Sequence, residues 1–123
     1  MVYGVTNQGD GTAFSTWSDR VYVSTNAVLE AQDYRLGEWS QGQSVTNGGS
    51  YWKTNTVTLP AWVGGTYYLI VQADWNNSLF ESVETNNVLA VPVVLSVPDL
   101  AVTNVVVGGP AVAGKPVTVS WTV

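Results

Sequence analysis

The chain reads as all-β, an immunoglobulin-like antiparallel β-sandwich of about seven strands, and three features of the sequence point there. Val, Thr, Tyr and Trp dominate, the residue types that fit a pleated and half-buried surface. Apolar residues recur with period two, and no window repeats them at i, i+3, i+4 and i+7 as an amphipathic helix would. Clusters of Gly, Asn and Pro interrupt the alternation at the short spacing of a sandwich. These turn signals are Asn7–Gly11, Asn47–Ser50, Gly64–Gly65, Asn76–Ser78 and Gly108–Pro110.

Each element follows from its own pattern. Arg20–Ser24 puts Val21 and Val23 on one face, and Tyr34–Trp39 is a further strand. Tyr51–Leu59 alternates Tyr51, Lys53, Asn55, Val57 and Leu59 against Trp52, Thr54, Thr56 and Thr58. In Thr66–Val71 both the Tyr67, Leu69, Val71 set and the Tyr68, Ile70 set are apolar, as expected of a central strand covered on both faces. Val88–Leu95, Leu100–Val107 and Val117–Val123 complete the series.

Composition excludes much chemistry. The 123 residues suit one domain. His and Cys are both absent, which removes Ser-His-Asp and Cys-His nucleophiles, disulfides and ordinary zinc sites. A net charge of −5 argues against binding a nucleic-acid backbone. The apolar run Val88–Val97 is broken by Pro92 and Ser96 and is far too short to insert in a membrane. No signal peptide is read at Met1, which leads directly into strand-like sequence.

Several segments together resemble one family. They are Trp17–Thr25, Asp74, Glu81–Val88, Thr56–Pro60, Pro98–Val102 and Gly114–Trp121, and they are similar to the CARDB family, cell-adhesion-related modules found in bacteria. The resemblance spans nearly the whole chain. It implies an extracellular, seven-stranded immunoglobulin-like module, often present in tandem in surface or secreted proteins. The order of the pieces differs from the family's. Pro98–Val123 resembles the first two strands of such a module, whereas Val2–Asn7 resembles the end of the second.

On this basis residues 1–97 are an incomplete sandwich, and 98–123 are the opening strands of a next module. Three arrangements follow: closure of 98–123 onto its own domain, insertion into a neighbouring chain, or one unit cut from a tandem array. A strand of eight to ten residues spans about 26–33 Å, and the reading places no linker between Val97 and Pro98. Insertion into a neighbour therefore leads, with Leu100, Val102, Val105, Val107, Val117, Val119 and Trp121 as the buried donor side chains. Met1–Val5 and Val119–Val123 then compete for one strand position or lie side by side.

Other candidate sites have a functional and a structural explanation. Asp74, Asn76, Glu81, Glu84 and Asn86, with Asn77 and Asn87, offer the oxygen ligands a Ca²⁺ ion takes, and so do Asn26, Glu30 and Asp33. The structural explanation is that Asn and Asp cap turns. Glu81 with Glu84, or Asp74 with Glu81, has the residue types of a glycosidase acid–base pair, but no cleft is implied and no enzyme is expected. Trp17 and Trp121 are read as core or near-core. Trp39, Trp52, Trp62 and Trp75 lie beside turns, where they either pack under loops, make subunit contacts or stack on sugars. Arg20 is read as a local partner of its neighbour Asp19.

The expected function is an extracellular, non-catalytic structural or adhesion module. It would assemble head-to-tail with itself, or with a tandem-repeat neighbour, by strand donation, with no cofactor beyond Ca²⁺. The alternative is a carbohydrate- or protein-binding accessory domain whose partner is a polysaccharide.

Overall fold

A computed structural model describes residues 1–123 and contains eight strands and no helix. They are β1 (Val2–Thr6), β2 (Trp17–Ser24), β3 (Tyr34–Gln41), β4 (Ser50–Thr54), β5 (Gly65–Gln72), β6 (Val88–Leu95), β7 (Asn104–Gly108) and β8 (Thr118–Thr122). All pairings are antiparallel. One sheet has the order β3-β2-β5-β6, a second is the pair β1-β4, and β7-β8 form a separate hairpin.

The alternation in the sequence sets the layers. Val21 lies opposite Val71 and Val23 opposite Leu69, while Leu69 lies opposite Val91 and Val71 opposite Leu89. Cross-strand partners share a face, so these side chains and Tyr67 form the inner face of the four-stranded sheet. Trp17, Val21 and Val23 are buried there, and Ile70 on the other face is 0% exposed. The apolar character of both faces of β5 thus corresponds to its place between β2 and β6.

The β1-β4 sheet covers only part of that inner face. Tyr3 on β1 and Tyr51 on β4 both reach Asp19 on β2, and Lys53 Nζ donates to the Ser40 carbonyl on β3 at 3.0 Å. The covering sheet therefore stands over β2 and β3. At one end of the sandwich Trp62 packs edge-on against Tyr34, 5.9 Å between ring centroids, and tilted against Tyr67, 5.2 Å between centroids.

Three strands are shorter than the alternation predicts, each because its partner stops. β4 ends at Thr54; Asn55 N donates to Met1 O, and Thr56–Leu59 has the expected alternation without a partner strand in this chain. β7 begins at Asn104, since Thr103 N makes the last backbone bond, to Thr122 O. The connection Ser96–Thr103 consequently runs four residues past the Ser96–Asp99 gap between the strands the sequence predicts. β8 is trimmed to Thr118–Thr122. β1 pairs with β4 along its whole length, from Val2 opposite Thr54 to Thr6 opposite Ser50.

Candidate functional site

The hairpin formed by β7 and β8 is amphipathic. Val105 lies opposite Trp121 and Val107 opposite Val119, so these four side chains share one face. The other face carries Asn104, Thr118, Ser120 and Thr122, with Val106 as its apolar member. Every residue from Ser96 to Val123 is exposed, and Trp121 is 65% exposed. Trp17 is buried as expected; Trp121 differs because its hairpin pairs with no strand of the body. Leu100, Val102 and Val117, the remaining donor candidates, are likewise exposed and lie just outside the paired segments. Gly109 and Gly114, at φ 83° and 73°, adopt the left-handed conformation that lets the chain reverse between the strands.

The body has an open side of its own. Beyond β1 the inner face over β5 and β6 is uncovered, leaving a groove of about 1240 Å³. Its floor is Leu69, Val71, Leu89 and Val91, one wall is the unpaired edge of β1, and Phe14 and Phe80 stand fully exposed among its lining residues. Leu89 is 67% exposed, although its position on the inner face is that of a core residue.

Between the sheets sits a polar lock that the sequence reading missed. Asp19 is fully buried; its Oδ2 accepts from the Tyr3 hydroxyl at 3.1 Å and the Tyr51 hydroxyl at 2.8 Å, and its Oδ1 from the Asp74 amide at 3.2 Å. Trp17 Nε1 donates to the Tyr51 hydroxyl at 3.2 Å. Burial is the main influence on Asp19 and raises its pKa, against the lowering effect of its donors. Burial next to this carboxylate likewise pushes both tyrosines above their ordinary range. The signal was present in the sequence. Asp19 alternates in step with Trp17, Val21 and Val23, so a charged residue stood at an inward position.

Arg20 accordingly does not pair with Asp19. Adjacent residues of a strand point to opposite faces, and Arg20 Nε instead meets Glu38 Oε2 at 2.8 Å, with Arg35 at 3.4 Å from the same oxygen. The Arg20 hydrogen bond is the chief cause holding the Glu38 carboxyl below its usual range. Arg20 also stacks 3.0 Å above the centroid of the Trp75 ring.

The four candidate tryptophans do not gather into a strip. Trp62 fills the aromatic cluster with Tyr34 and Tyr67, and Trp75 lies under Arg20. Trp39 is half-buried with its ring over Gly37. Trp52, on the outer face of β4 with its ring over Gly4, is the exposed member at 73%.

The acidic and amide residues are held by their own loop. Asp74 is buried and accepts from the amides of Ser78 at 2.9 Å and Leu79 at 2.8 Å. Asn76 bonds Ser78, and Asn86 bonds Gln8. Asn87 Nδ2 donates to Glu81 at 2.7 Å and Glu84 at 3.3 Å, which makes that pair a loop clasp; burial raises the Glu81 pKa. Asn26 bonds Glu30, and Asp33 caps the Glu30 amide. In neither cluster do three acidic side chains converge into a metal-holding group. No helix is long and apolar enough to cross a membrane.

No curated protein and no solved structure matches the chain. The CARDB family model matches residues 1–91, which takes in β1 to β5 and the first half of β6 and leaves the β7-β8 hairpin outside. With the antiparallel two-sheet architecture and the sequence pieces agreeing over that span, the chain belongs to the CARDB family of immunoglobulin-like modules.

Proposed function

We propose that the chain is a non-catalytic structural module that works outside the cell, on the surface or secreted, and assembles head-to-tail into a fibre or array by giving residues 98–123 to a neighbouring unit. The observation that carries this reading is the exposed apolar face of the hairpin, Val105, Val107, Val119 and Trp121. An isolated two-stranded hairpin is marginal in water, and its apolar face calls for a cover that the body of the same chain does not provide. Each large side chain buried contributes about 1.5–3 kcal/mol, so four of them can hold a joint without any disulfide. A contact in which donor and acceptor differ leaves one of each free at the ends and propagates unless it closes into a ring. The family's association with adhesion fits such an array.

The test is light scattering on the purified chain over a range of concentrations, with electron microscopy of the same samples. Filaments or a ladder of masses are expected from the full chain, and a single mass from a chain truncated after Val97. A truncated chain that assembles like the full one would falsify the reading.

A further inference from the structure

We infer that the groove beside β1 is the seat for the β7-β8 hairpin of a second copy, and that the hairpin docks intact, extending the β1-β4 pair into a four-stranded sheet over β5 and β6. This inference rests on the strand-donation reading and adds its acceptor. The inner sheet is four strands wide but carries a cover only two strands wide. The uncovered part lies on the β1 side, over Leu69, Val71, Leu89 and Val91. What is missing is a two-stranded element with one apolar face, and the chain holds one undocked element of that description.

The dimensions agree. β1, β7 and β8 are each five residues long, so a hairpin strand laid against β1 leaves no overhang. The unpaired edge of β1 presents the N–H and C=O groups that a strand edge can bond. Nothing has to be broken first, because β1 keeps its full ladder with β4 and β7 keeps its ladder with β8. Side-by-side docking therefore removes the competition between Met1–Val5 and Val119–Val123 for one position. Charge is favourable as well. Lys115 is the one charged residue between Asn104 and Thr122, whereas Asp10, Asp74 and Glu81 line the groove.

The experiment uses three full-length chains: wild type, Leu89→Glu on the groove floor and Trp121→Glu on the hairpin. Both positions are exposed in the single chain, so each variant should fold, which circular dichroism and its melting curve verify; Val91→Glu is the second floor variant. Light scattering should give the wild-type mass ladder and a single-chain mass for each variant alone. Mixed in equal amounts, the two variants should give a 1:1 dimer and nothing longer, since one retains only a donor and the other only an acceptor. Wild-type assembly by both Leu89→Glu and Val91→Glu overturns the groove as acceptor and leaves strand donation standing. Failure of the mixture to dimerise overturns it too. A wild-type chain that stays single at all concentrations, as when the hairpin closes onto its own body, overturns both readings.

Discussion

The hydroxyl of Tyr51 donates a 2.8 Å hydrogen bond to the buried carboxylate of Asp19, joining β4 of one sheet to β2 of the other. Tyr3 bonds the same oxygen from β1. This lock fixes how the short sheet lies on the long one, and so fixes which part of the inner face stays open. Removing the carboxylate by Asp19→Ala strands two phenols and a backbone amide, and should destabilise the fold by about 3 kcal/mol or more. Tyr51→Phe, which removes one donor, should lose about 1–2 kcal/mol. Urea unfolding midpoints of the two variants give the comparison; equal, small losses would mean that water replaces the lock.

Acid should favour the folded chain at Asp19, because burial of the charge outweighs the donors of the lock. The Asp19 pKa is raised on folding above its ordinary 3.8, so the folded state holds this proton more tightly than the unfolded state. The resulting stability is fully present below 3.8 and is lost as pH rises through the folded value. Asp19→Asn, whose amide does not titrate, lacks this component. Melting temperatures of wild type minus Asp19→Asn should therefore fall as pH is raised from about 3 to about 7. A difference that is flat, or that grows with pH, would contradict the burial argument.

Buried and exposed apolar positions of the long sheet should respond differently to truncation. Ile70→Ala empties a fully buried site and should destabilise the chain by about 2–5 kcal/mol. Leu89→Ala, at an inward position that is nonetheless exposed, should change the unassembled chain by about 0.5 kcal/mol at most. The same Leu89→Ala should weaken assembly, which sets a packing role in the joint apart from one in the subunit.

Trp52 decides the rival binding-module reading. It is the exposed tryptophan of the four candidates, and the others are engaged by Tyr34 and Tyr67, by Arg20, or by the backbone of β3 at Gly37. A single ring is a poor sugar platform, so titration with soluble polysaccharides should leave tryptophan fluorescence unchanged. A saturable quench that disappears in Trp52→Ala would favour carbohydrate binding.

The fold was legible wherever one strand carries its own pattern. Val88–Leu95 matches the predicted limits, and the apolar character of Tyr68 and Ile70 as well as Tyr67, Leu69 and Val71 placed β5 in the middle of its sheet. Less legible was anything that depends on a partner. Thr56–Leu59 alternates like a strand, yet strand length is set by the neighbour, and there the neighbour ends. Asp19 was misjudged for a related reason. Proximity in sequence suggested Arg20 as its partner, while the pleat sends the two side chains to opposite faces. The candidate tryptophans could not be assigned, because half-burial beside turns arises from contacts between distant segments, such as Trp62 with Tyr34.

Pro92 lies within β6, the outermost strand of the long sheet, opposite Tyr68. Proline has no amide hydrogen, and inside a sheet it is confined to edge strands where that lost donor faces away from the ladder. The long sheet is thus blunted on this flank, while β1, on the facing layer, presents a full set of donors. Pairing of a further strand along β6 is consequently disfavoured relative to pairing along β1, so of the two strands that border the open face, β1 is the one whose edge can take another strand.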